Sequence, residues 1–276
     1  LADRGARCLT IAILLTGIGL FLLPLYVMVA MALKDQSEVA TTTLWAWPLH
    51  PTLANFQQVL SNPNVSFALF LKNTTFIAVT STFGVVFTSA MAAFGFARIE
   101  FAGRDRLFLV LLATMMLPGI VTMIPTYVMY AQIGWVNSFK PLIVPAFFGG
   151  GAFNIFLLRQ FYLGIPRELD EAAHLDGAGH WTVFWRVLLP LTKPALVTVG
   201  VFSFMGAWRD FMGPLLYLNE ADKQTLEVGL RTYTALQQEK WHLLMAGSVL
   251  VMIPIVLLFF IGQRSFVKGI VMTGGK

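Results

Sequence analysis

Two stretches of this chain carry charged residues in settings that suit specific contacts. The first runs Glu171-Ala172-Ala173-His174-Leu175-Asp176-Gly177-Ala178 and closes on Val187-Leu188-Leu189-Pro190. A polar stretch with a helical pattern, set among membrane-grade apolar runs, has the look of a docking surface. The second is Trp208-Arg209-Asp210-Phe211, where two ionisable residues interrupt an apolar run. Ionisable groups inside such a run are functional candidates by default. Arg209 or Asp210 could hydrogen-bond a polar ligand, with Trp208 or Phe211 stacking on it. The blander alternative is mutual neutralisation of Arg209 and Asp210 near the outer end of the run. His174 and His180 flank the turn after the first stretch, and two isolated histidines make no metal site.

The rest of the chain must position these residues within a membrane. Apolar residues make up 57% of the sequence and charged residues 12%, against roughly 25% charged in soluble domains. The net charge of +5 does not point to nucleic acid, because basic residues in membrane proteins collect on the cytoplasmic side. The single cysteine, Cys8, excludes an internal disulfide and a multi-cysteine zinc site.

Apolar runs long enough to cross a hydrocarbon core of about 30 Å lie at Cys8–Leu33, Phe70–Ala97, Leu107–Tyr130, Leu142–Phe161, Leu191–Leu218 and Leu243–Gly262. They predict an all-α membrane protein with six transmembrane helices, the first retained rather than cleaved as a signal peptide. Placing both termini inside puts twelve of the 19 Lys and Arg residues on the cytoplasmic side. Pro118 and Pro125 interrupt the third run, and Gly149-Gly150-Gly151 the fourth. Interrupted helices line some pathways, yet Pro and Gly are also ordinary in membrane helices. Asn64-Val65-Ser66 and Asn73-Thr74-Thr75 match a glycosylation pattern short enough to arise by chance.

The charged region from Arg159 to Lys193 is the long exception among these apolar runs. Pro166 and the acids after it open a helix. Leu169, Ala172 and Ala173 fall at i, i+3 and i+4, a small apolar face that fits a groove. Gly177 and Gly179 stop this helix. A second one follows, with Trp181, Phe184, Trp185 and Leu188 forming a stripe along the membrane interface, before Pro190 and Pro194 bend the chain into the next span.

The spacing Glu-Ala-Ala, three residues, Gly, nine residues, aliphatic, one residue, Leu-Pro resembles the signature loop of permease subunits of binding-protein-dependent ABC importers. Glu171, Ala172, Ala173, Gly177, Leu189 and Pro190 meet it, with Val187 where isoleucine is usual. Asp176 and Ala178 extend it to the form of the carbohydrate-uptake branch, which includes the smaller permease of the maltose importer. Leu158-Arg159-Gln160-Phe161 and the tail Gln263-Arg264-Ser265-Phe266-Val267-Lys268-Gly269-Ile270 also fit, although Ser265 replaces a commoner tyrosine.

The resemblance implies one permease domain over residues 1–276, with a cytoplasmic coupling loop at 159–193. It implies a pseudo-twofold pair with a second permease, two ATPase subunits, an extracytoplasmic substrate-binding protein and an inner-membrane location. Glu171 would meet a basic group on the ATPase, Ala172 and Ala173 would allow close approach, and Gly177 would permit the turn. ATP and Mg would bind the ATPase, so this chain would be neither an enzyme nor a holder of a cofactor. Its only approach to a phosphate-binding G-x-x-x-x-G-K-[ST] pattern, Gly269 to Gly274-Gly275-Lys276, departs after Gly274. Relatives commonly carry Asn where Arg209 stands. Two readings compete with an ATP-driven sugar or polyol importer. A secondary transporter would need more intramembrane acids than Asp210, and a non-transporting scaffold would assemble without uptake.

Overall fold

A computed structural model describes residues 2–62, 66–236 and 240–274 of the 276. Side chains from Arg264 onward, that of Cys8 and the Asn64 pattern lie outside the described residues, so the tail resemblance is confined to sequence.

The described chain is helical throughout. Its elements are α1 (Ala2–Ala32), α2 (Gln36–Thr41), α3 (Ala54–Leu60), α4 (Phe67–Arg98), α5 (Arg104–Thr114), α6 (Gly119–Gln132) and α7 (Lys140–Ile143), which a 3-10 turn prolongs to Phe147. After them come α8 (Ala152–Leu163), α9 (Glu168–Leu175), α10 (His180–Thr182), a π-helical turn Val183–Leu188, α11 (Leu189–Leu191), α12 (Lys193–Trp208), α13 (Met212–Tyr217), α14 (Leu226–Leu236) and α15 (Trp241–Gly274).

Four helical segments are long and apolar enough to cross a membrane: Leu9–Ala32, Phe67–Arg98, Lys140–Leu163, which is interrupted at 148–151, and Trp241–Phe260. The protein is therefore a multi-span helical membrane protein. Two further helix pairs, one within the third expected run and one across the start of the fifth, are bent, and the count reaches six where each pair is one span. Arg104–Thr114 meets Gly119–Gln132 at 96°, and His180–Leu191 meets Lys193–Trp208 at 78°. Pro118 accounts for the first bend. It lacks an N–H and disfavours helical backbone before it, and it adopts an extended ψ of 130° as the N-cap of α6. Pro125, in contrast, sits inside α6 without ending it. At the second bend Pro190 and Pro194 bracket Thr192, whose hydroxyl donates to Leu188 O and Leu189 O. The fifth run also stops short of Leu218, since α12 ends at Trp208 and a separate short helix, α13, follows.

The chain forms two compact units. The first comprises Leu1–Ala68 with Gly229–Pro254. In it the loop after α1 is bound to that helix's end: Asn55 donates to Ala32 O and Lys34 O, and the fully buried Lys34 ammonium donates to Thr43 O. Tyr26 donates to Trp45 O and stacks on Trp47 at 5.9 Å.

The second unit comprises Leu69–Val228 with Ile255–Lys276. Its core sets Ala90, Ala93, Phe94 and Ala97 of α4 against Ile155, Leu158 and Tyr162 of α8, with Val183, Phe184, Leu188, Ala195 and Val199 completing it. Ala90, Ala93 and Ala97, on successive turns of α4, allow close helix approach. Gly149, Gly150 and Gly151 all have positive φ, and a Cβ on Gly150 would collide with Ser89 Oγ and Val85 O. Within this run Gly150 is the residue that lets the chain touch α4. Asn73 is buried and donates to Asp222 O and Gln224 O, which makes it unavailable for glycosylation.

Candidate functional site

Helix α9 is short, eight residues or about 12 Å, and is defined by local chemistry at both ends. Arg167 O accepts from the amides of Asp170 and Glu171, while Glu168, Asp170 and Glu171 complement the positive end of the dipole. At the other end Gly177 takes φ +83°. Its N–H bonds His174 O and that of Ala178 bonds Ala173 O, closing a Schellman motif. His174 Nδ1 donates to Ala178 O at 2.7 Å, tightening the same turn. Gly179 has ordinary extended backbone, so Gly177 alone makes the reversal.

The helix presents Glu171, Ala172, Leu175 and Asp176 outward, and Leu175 is 89% exposed. Ala173 and Ala178 pack against the core instead. The expected face of Leu169, Ala172 and Ala173 therefore splits, with only the first two exposed, and Leu175 joins them. The aromatic stripe splits in the same way. Phe184 and Leu188 are buried, and Trp181 and Trp185 remain exposed on either side. Leu189 is half-buried against the core and Pro190 exposed.

An arginine from another element fixes the inward side of α9. Arg98, the last residue of α4, lies 3.2 Å from the Asp170 carboxylate through Nε, and the two side chains are 5% and 13% exposed. Its Nη2 also donates to Tyr162 O and Ile165 O at 2.7 and 2.8 Å, at and just beyond the end of α8. One planar guanidinium thus joins three elements, which an ammonium could not do with the same geometry. Arg159 on α8 returns the contact: Nε donates to Phe96 O of α4 at 3.2 Å, and the guanidinium lies 4.2 Å from the Phe108 ring centre. Arg167 and Glu100 add a looser, exposed pair at 3.5 Å. A small cavity of about 140 Å³ beside α9 is edged by Arg98, Asp170, Glu171, His174 and His180. Among the described residues no three or more His, Cys, Asp or Glu side chains converge as a metal site would require.

The Trp208–Phe211 stretch lies at the far end of α12 from this brace. Trp208 is 2% exposed and stacks on Phe204 at 5.3 Å. Arg209 is exposed as the C-cap of α12. Asp210 Oδ1 accepts from Gly213 N at 3.0 Å and so ties the start of α13. Among the described residues no ion pair joins Arg209 to Asp210, and the mutual neutralisation expected of them gives way to this backbone bond. Phe211 is half-buried at the N-cap of α13.

Two clasps near that end went unread in the sequence. Thr74 Oγ1 accepts from Leu226 N beside the Asn73 bonds. Asn137, a non-glycine residue at φ +61°, donates its backbone N–H to Tyr217 O and its amide to Glu220, while its Oδ1 accepts from Asn219 N and Glu220 N. Hydrogen bonds from Lys223 and then Asn137 hold the Glu220 carboxyl below its ordinary range. An Asn at that spacing was the available signal, since Asn tolerates the left-handed region.

Residues 84–271, most of the chain, match the family described as "Binding-protein-dependent transport system inner membrane component". The chain belongs to this family. Transport permeases align along nearly its whole length. The probable ABC transporter permease YurM of Bacillus subtilis is 32% identical over 90% of this chain and 81% of its own. The arabinooligosaccharide transport permease AraQ of Halalkalibacterium halodurans is 30% identical over 92% and 90%. The sn-glycerol-3-phosphate transport permease UgpE of Yersinia pestis is 31% identical over 97% of each chain. A chain from the crystal structure of a bacterial alginate ABC importer shares the fold, with TM-score 0.84 and 21% identity over 95% of this chain and 97% of that one. The chain is accordingly a transmembrane permease of the ABC importer class. These relatives differ in cargo, so membership carries no preference for the maltose importer's smaller permease.

Proposed function

We propose that this permease is the membrane subunit of an ATP-driven importer for a sugar, oligosaccharide or polyol, and that α9 is its coupling helix. The observation that carries the reading is α9 itself, whose outward face stays exposed while its inward face is locked to α4 and α8. Such a helix is shaped to receive displacement without bending. Its outward carboxylate, Glu171, and small Ala172 suit a basic cleft on a cytoplasmic ATPase subunit, which binds the ATP and Mg. Gly177, Ala178, Leu189 and Pro190 shape the turn and the return into α12.

In this reading the four long helical segments and two bent pairs make six crossings, with both termini cytoplasmic, in one permease domain of the inner membrane. A second permease completes the pathway, two ATPase subunits drive it, and an extracytoplasmic binding protein delivers cargo. Support for carbohydrate cargo comes from relatives named for arabinooligosaccharide and glycerol phosphate transport. Arg209, exposed at the end of α12, is the residue of the Trp208–Phe211 stretch best placed to meet cargo. Trp208 and Asp210 hold structure.

The test is reconstitution with the ATPase, partner permease and binding protein. Uptake should require ATP and ignore an ion gradient, and Glu171→Lys should lower uptake per ATP hydrolysed or release the ATPase. Normal transport by that variant would refute the coupling role. Arg209→Asn should reduce uptake at limiting cargo, and an unchanged rate would remove Arg209 from the pathway.

A further inference from the structure

Helix α4 is held at both ends by its own side chains. At Asn73 and Thr74 it grips the backbone of residues 222–226. At Arg98, about 38 Å further on at 1.5 Å per residue, it grips α9 through Asp170 and α8 through Tyr162 O and Ile165 O. Between these ends its alanines pack directly on α8 and on the turn that leads into α12. Among the described residues, Asp170 is the acid of α9 that forms an ion pair with α4, whereas Glu171 is exposed.

We infer that the Arg98–Asp170 pair is a positioning element that passes movement of α9 into α4. The inference rests on the coupling reading of α9. A guanidinium that donates to two carbonyls and lies 3.2 Å from a carboxylate has little rotational freedom. Displacement of α9 therefore carries α4 with it, and the far end of α4 carries the 222–226 segment. Arg159 works beside it, locking α8 to α4 through Phe96 O so that the three helix ends move as one body. Without the carboxylate, α9 would still form from its own caps but would be free to slip along α4.

The complete importer in proteoliposomes tests this through uptake per ATP hydrolysed. Asp170→Asn keeps the shape and removes the charge. Its ratio should fall on the order of tenfold, the scale of a single coupling element, while ATPase co-purification stays at the native level. Asp170→Glu should restore most of the ratio. A purely structural role would lower protein yield, uptake and hydrolysis together and leave the ratio unchanged. That result, or a native ratio in intact Asp170→Asn complex, overturns the inference. Should Asp170→Asn fail to accumulate, Arg98→Lys decides. It keeps the buried charge but cannot span three acceptors, so its ratio should fall, and a native ratio overturns the inference. Glu171→Lys in the same preparation separates the two levels. If it too leaves the ratio unchanged, the coupling reading fails. If it alone lowers the ratio, only the brace fails.

Discussion

The two ends of α4 solve the same problem with different chemistry. At the α9 end a buried guanidinium spans a carboxylate and two carbonyls. At the Asn73 end neutral amide and hydroxyl groups bond backbone atoms of residues 222–226. Breaking a buried pair leaves an uncompensated charge and costs about 3–5 kcal/mol. A lost neutral bond costs about 1 kcal/mol. The difference teaches where the chain demands rigidity: it spends a charged contact on the short helix it displays, and neutral ones on a loop.

The largest expected effect comes from Arg98→Ala. It strands Asp170 and frees two carbonyls, so purified protein in nanodiscs should lose about 3–5 kcal/mol, read as a lower Tm. Gly150→Ala strikes α4 midway. Its Cβ would press on Val85 O and Ser89, and overpacking with an unfavourable φ should cost about 3 kcal/mol in the same assay. Asn73→Ala should cost less, about 1–2 kcal/mol. Equal losses for Asn73→Ala and Arg98→Ala would abolish the contrast between the ends.

The smallest effect belongs to the exposed Glu220. Its native pKa is depressed, so its contribution is complete above its unfolded value near 4.5 and disappears as pH falls through the lower native value. Hydrogen exchange at the Asn219 and Glu220 amides, which bond Asn137, should quicken on acidification, and Glu220→Gln should remove that response.

Much of this was legible in the sequence because its causes are local. Pro118, Pro190 and Pro194 announce bends through missing donors, and Gly177 announces a turn through its backbone freedom. The Glu-Ala-Ala spacing singled out α9. What stayed hidden depends on partners distant along the chain. Arg98 and Asp170 lie 72 positions apart, and each alone reads as a solvated charge beside a membrane. Ala173 and Leu175 look interchangeable in an apolar pattern until the direction of the core is known, which is why the first turned inward and the second outward. Asp210 looked like a partner for its neighbour Arg209. A backbone amide three residues on proved the shorter reach.

The central claim is that the exposed face of α9 docks on an ATPase subunit. A photoreactive side chain introduced at Leu175, the most exposed apolar position on α9, measures this in the assembled importer. The account predicts a covalent adduct with the ATPase that Glu171→Lys diminishes. Efficient labelling by the same probe at Leu107 of α5 with none to the ATPase at Leu175, in a complex that still transports, would contradict it.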